Sequence, residues 1–200
     1  MSNASNIVYV SKKLFPDNAF RSYLREYFAD GDGKLDTDSV TAITVDRQGV
    51  KSLQGIELFH ELHLLSCAGN EIETVILNEN PNLHELDCCD NKVSMLSVNG
   101  CKELDIIRCA GNCLSYLDLS SVKPRYIDCS DNELKSFELG ENKRLEELHC
   151  RSNDINVLNV SQCPKLNEID VDDYMRRGNG EYYRAGTKKA ALLTEGREKR

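Results

Sequence analysis

Nine cysteines and four histidines are the residues of this 200-residue chain whose types could do chemistry. A thiolate is a nucleophile and a soft metal ligand, an imidazole is a base or a zinc ligand, and paired thiols form disulfides. The spacing favours none of these. Zinc needs ligands clustered in a C-x₂₋₄-C pattern. Cys109-x-x-x-Cys113 fits by count, but Cys113 occupies a slot held elsewhere by Glu71, Lys92, Glu133 and Asp154. It should face water, away from Cys109. His60, His63, His84 and His149 accompany no G-x-S-x-G, no H-E-x-x-H and no glycine-rich phosphate loop. The stretch Asp30-Gly31-Asp32-Gly33-Lys34-Leu35-Asp36 is similar to the middle of an EF-hand calcium loop. Aligned on Gly33, it puts Phe28 and Ser39 where the first and last carboxylates belong. It reads as a turn that keeps an old loop shape. The expectation is no catalytic residue, no metal and no cofactor.

The elements that hold these residues come from an internal repeat. Five cysteines sit in one template: Leu62-x-x-Leu65-x-Cys67-x-x-Asn70, then the same pattern ending at Cys88 and Asn91, Cys109 and Asn112, Cys129 and Asn132, and Cys150 and Asn153. Successive Asn residues are 21, 21, 20 and 21 positions apart. A second apolar pair recurs at fixed offsets, for example Leu96 with Val98 and Leu117 with Leu119. A degenerate copy precedes these around Ile43 and Val45, and a partial one follows around Leu166, Ile169 and Val171.

Alternation along a strand turns the second apolar residue and the Cys to one side. One coil cannot bury that side alone. Stacking coils about 4.8 Å apart pairs the strands in a parallel sheet and merges the apolar sides into one core. Cys67, Cys88, Cys109, Cys129 and Cys150 are then small hydrophobes of the interior. Five thiols pointing inward in parallel match disulfide torsions poorly. Cys101 and Cys163, which replace Asn80 and Asn142, read as inward turn residues. Cys89 and Cys113 read as the exposed thiols. Pro124 takes a Leu slot in the one shortened coil, which predicts a local distortion there.

These segments resemble leucine-rich repeats, L-x-x-L-x-L-x-x-N/C-x-L, with Cys in the third apolar slot. The Cys variant and its lead-in, from Phe15-Pro16-Asp17 to the Asp30–Asp36 stretch, resemble repeat proteins of anaerobic gut Firmicutes. That resemblance implies a surface or secreted protein. The fold class expected is a mostly β, α+β leucine-rich-repeat solenoid of six to seven coils with a parallel sheet and an N-terminal helical cap. Met1–Ala4 reads as an expression scar. Residues 5–39 form the cap with its degenerate loop, 40–173 the solenoid and 174–200 a basic C-terminal cap or tail. No signal peptide follows the start.

A solenoid must close both ends. Asp17 is a candidate N-cap for a helix over 15–29, with Phe20, Leu24 and Phe28 at helical spacing and Tyr23 and Tyr27 beside them. Tyr174, Tyr182, Tyr183 and Ala190–Leu193 are the apolar candidates for the far end, and 194–200 should fray.

The net charge is −8. Residues 174–200 hold eight Lys/Arg against three Glu, leaving the body strongly acidic. That excludes general nucleic-acid binding, and no apolar run approaches the roughly 20 residues that span a bilayer. The site candidates are the strand positions flanking the buried residues: Glu85, Asp87, Arg108, Tyr126, Asp128, Glu147, His149, Arg151 and Asp170. Acids outnumber bases there, so the expected partner is a protein or peptide, with a preference for a basic one, bound to a monomer. His149 reads as a surface or contact residue rather than a base. A solvated face, a passive spacer and the recognition half of a secreted enzyme remain the competing readings.

Overall fold

The computed structural model describes residues 6–155, 157–171, 174–177 and 181–184. Ala190–Leu193 and residues 194–200 lie outside these. The chain opens with β1 (Ile7–Tyr9), helix α1 (Asn18–Tyr27) and β2 (Lys34–Asp36), β1 and β2 pairing antiparallel. A seven-stranded parallel sheet follows, built from β3 (Ala42–Thr44), β4 (Leu64–Ser66), β6 (Glu85–Asp87), β8 (Ile106–Arg108), β10 (Tyr126–Asp128), β12 (Glu147–His149) and β14 (Glu168–Asp170). Between these run the outer strands β5 (Thr74–Ile76), β7 (Met95–Ser97), β9 (Tyr116–Asp118), β11 (Ser136–Glu138) and β13 (Val157–Asn159). The chain ends in β15 (Tyr174–Arg177) and β16 (Glu181–Arg184).

The inner sheet is continuous because every coil presents the same apolar row. Ile43, Leu65, Leu86, Ile107, Ile127 and Leu148 are fully buried at successive strand centres. Cys67, Cys88, Cys109, Cys129 and Cys150 form a second buried row one step on, all as free thiols. Cys101 and Cys163 are buried in the turn slot they share with Asn80, Val122 and Asn142.

The recurring Asn residues staple coil to coil. The amide of Asn112 donates to the carbonyls of Cys88 (2.9 Å) and Cys109 (3.1 Å), and its Oδ1 accepts from Val93 N–H (2.8 Å). Asn70, Asn91, Asn132 and Asn153 repeat the arrangement. Each Asn satisfies backbone groups that the sheet leaves unpaired. The residue before it turns into the left-handed region at Gly69, Asp90, Gly111, Asp131 and Ser152. Gly, Asp and Ser in that slot were a readable signal for this turn.

The outer layer is discontinuous. β5 pairs with β7 and β9 with β11, and β13 pairs with β16 of the terminal hairpin. The inner arc keeps strands at hydrogen-bonding distance, whereas the longer outer arc spreads them into couples.

Helix α1 closes the first coil. Asp17 caps it through Oδ1, which accepts from Phe20 N–H at 2.8 Å, while Oδ2 accepts from Lys51 N–H at 3.0 Å. Phe20 and Leu24 are buried and Phe28 is half-buried. The Tyr23 hydroxyl accepts from Thr44 N–H at 3.0 Å, which covers a backbone donor of the edge strand β3. Tyr27, read from sequence as part of the same aromatic core, is instead 64% exposed and stacks on Tyr23.

The expected distortion at Pro124 does not reach the sheet. β10 keeps its register with both β8 and β12. The missing residue is absorbed in the preceding turn, where Leu83 and Leu104 donate to Asn80 and Cys101 but Pro124 has no N–H to give. At the far end, the hairpin adds its strand β16 to β13 of the outer layer.

Candidate functional site

The inner sheet turns its non-buried side to solvent as a concave face. Parallel register sets that face out in two rows. One runs Leu64, Glu85, Ile106, Tyr126, Glu147 and Glu168, and the other Ser66, Asp87, Arg108, Asp128, His149 and Asp170. In the second row acids and bases alternate from Asp87 to Asp170, so each base has an acid on either neighbouring strand.

The structure brings most of the predicted site residues together. Arg108 pairs with Glu85 across one strand step and lies 5.4 Å from the ring centre of Tyr126 on the other side. Tyr126 in turn faces His149, with ring centroids 5.4 Å apart and planes tilted by 38°. His149 lies 3.9 Å from both Glu147 and Asp170. Arg151 Nε closes the run on Asp170 Oδ1 at 2.5 Å. The result is one connected chain of charge and aromatic contact across five strands.

Environment tunes these groups. Burial alone would lower the Arg108 pKa, but the hydrogen bond to Glu85 and the charges of Glu85 and Asp87 outweigh it and raise it. Burial, then Asp128, raises the Tyr126 phenol, so it remains a neutral donor. Arg108 beneath the ring adds a cation–π contact.

Asp87 and Asp128 have a second occupation. The Oδ1 of each accepts from the backbone N–H two residues on, Cys89 at 3.0 Å and Ser130 at 3.0 Å. These Asx turns end the strands. Cys89, expected to be exposed, is half-buried, and burial together with the Asp87 charge pushes its thiol up to about 12. Cys113 is exposed as expected. Burial drives the thiols of Cys67, Cys88, Cys109 and Cys129 well above the ordinary range.

One cluster at the rim was missed in sequence. Asp105 takes both Arg125 (2.6 Å) and Arg144 (2.7 Å), and the Arg125 bond holds its carboxyl below the usual range. Charged residues before the strand, one coil apart, were the signal. In the Asp30–Asp36 loop, Asp30 Oδ1 accepts from the N–H groups of Asp32 (2.9 Å) and Lys34 (2.8 Å). That carboxylate is engaged in holding the turn.

The chain matches no family model and no curated protein. Among solved structures it is similar to the functional domain of InlJ from Listeria monocytogenes, described as including a cysteine ladder. Identity is 16%, the match covers 86% of this chain and 62% of that one, and the TM-score is 0.51. It is also similar to internalin C2 from Listeria monocytogenes, with 17% identity over 86% of this chain and 92% of that one and a TM-score of 0.50. The chain thus spans 62% of the InlJ domain's length. At these identities the likeness concerns architecture alone. With the in-register sheet, the Asn staples and the buried thiol row, it shows that the fold is a leucine-rich-repeat solenoid.

Proposed function

We propose that the concave face is a non-catalytic recognition surface for a protein or peptide with a basic patch. One observation carries the reading: Tyr126 stands between Arg108 and His149, with Glu85 on Arg108 and with Glu147 and Asp170 beside His149. An aromatic ring held in place by charged neighbours loses little freedom on binding, and such residues dominate interface energies. Acid carboxylates around it favour a cationic partner and fast encounter. No convergent set of nucleophile, base and oxyanion donors is found among the described residues, and the raised thiol pKa values oppose thiolate chemistry. The resemblance of the repeats supports placing the protein at a bacterial surface or outside the cell.

The test is an array of basic and acidic peptides probed with the wild-type chain and with Tyr126→Ala, His149→Ala and Glu147→Lys. Basic peptides should be retained by the wild type, weakened by rising salt and lost in the variants, at unchanged melting temperature. Equal retention by the variants, or preference for acidic peptides, contradicts the proposal. Retention of nothing by any form favours a spacer.

A further inference from the structure

The outer layer has a groove of its own, away from the concave face. In the first coil, residues 51–55 form no strand, and the segment Ser52–Glu57 faces the segment Thr74–Glu79. Between them lies a groove of about 410 Å³. Leu53 and Ile56 line its bottom but are almost fully buried, and Thr74 and Ile76 of β5 form its wall. Glu57 and Glu79 stand at its margin.

Two features make this more than an apolar hollow. The first is main-chain polarity. Leu77 N–H donates to Ser97 O on β7 at 2.9 Å, so Val75 and Leu77 turn their backbone groups toward β7. Alternation then turns the N–H and C=O of Thr74 and Ile76 the other way, into the groove. Among the described residues no strand pairs with that edge. The second is exposure. Ile76 is 50% exposed, on an edge of the kind that proteins ordinarily cover or charge. At the opposite end of the same layer, β13 does receive an added antiparallel strand, β16. One end of the outer layer is thus completed by the chain itself, and no strand among the described residues completes the other.

We propose that β5 accepts an extended peptide segment of a partner protein by strand addition, with an apolar side chain against Ile76 and basic ones toward Glu57 and Glu79. Backbone pairing supplies the register, and the two acids select the sign of the partner's charge.

The experiment titrates an acetylated, amidated Lys-Val-Arg-Val-Lys peptide into the full chain and reads amide chemical shifts. The proposal expects saturable shifts at Thr74 and Ile76. A peptide with Glu in place of its basic residues, or one N-methylated at alternate positions, should bind at least tenfold more weakly. Thr74→Pro removes a donor that the β5–β7 ladder does not use, and Ile76→Lys places a charge in the groove. Either should abolish the shifts while the amides of the inner sheet stay unchanged. Tyr126→Ala should leave binding intact, which separates this site from the concave face. Equal binding of the N-methylated or acidic peptide overturns the proposal. So does self-association of the chain that Ile76→Lys abolishes, since the occupant would then be a second copy.

Discussion

The inner sheet and the outer layer are written by the same repeat, yet one is continuous and the other falls into couples. Both carry an apolar residue at the strand centre in each coil: Leu65, Leu86 and Ile107 inside, Val75, Leu96 and Leu117 outside. The inner row adds a thiol sealed beneath five of its seven strands and, in each of those five coils, an Asn bonded to the previous coil. Small side chains let coils close on the inner arc, and the Asn amides fix their spacing. The outer turns carry such an amide only at Asn80 and Asn142, the same slot being Cys101, Val122 and Cys163 in the other coils, and the outer strands pair only in couples. An apolar repeat therefore brings coils together, and buried polar groups decide where they stay in register.

Alkaline pH should break the comparison most severely. The thiols of Cys67, Cys88, Cys109 and Cys129 have folded pKa values raised by burial. Their stabilising contribution is complete below the unfolded thiol value and is lost as pH rises above it. Stability should therefore fall progressively as pH rises through and above the ordinary thiol range, all four thiols acting in the same direction. Chemical denaturation between pH 8 and 10.5 should show a steep loss that Cys→Val substitutions in the row reduce.

Removing a staple comes next. Asn112→Ala leaves Val93 N–H without its partner and the Cys88 carbonyl with the Asn91 amide alone, and should destabilise by about 2 kcal/mol in urea. Cys109→Ser buries a hydroxyl in the apolar row and should cost roughly 1–3 kcal/mol. The smallest effect belongs to the exposed side of the inner sheet. Glu85 and Arg108 are each about one-third exposed, and a double-mutant cycle should return a coupling below about 1 kcal/mol that fades with salt.

Much of the fold was legible because it depends on periodic burial. The Cys slot, the Asn slot and the inward turn position of Cys101 and Cys163 follow from offsets alone. The N-cap at Asp17 was equally local. The concave residues were identified as a face, but their coupling was not. Whether Arg108 meets Glu85 or Asp87 depends on side-chain direction between coils more than 20 positions apart. Tyr27 shared the helical spacing of Tyr23 but fell just off the buried side. Pro124 read as a disruption because its slot was clear, while the turn that absorbs it has no fixed pattern. The terminal hairpin lies beyond the repeat. Its signal was local, two short tyrosine-bearing runs on either side of Gly178-Asn179-Gly180.

Residue-resolved alkylation of the nine thiols in native and unfolded protein, read by mass spectrometry, tests the stacking of coils most directly. The account predicts rapid native labelling of Cys113, slow labelling of Cys89, and protection of Cys67, Cys88, Cys109, Cys129 and Cys150 until the chain unfolds, when all nine react. Native labelling of the ladder thiols at the rate of Cys113, or thiols that stay unreactive in denaturant, would contradict it.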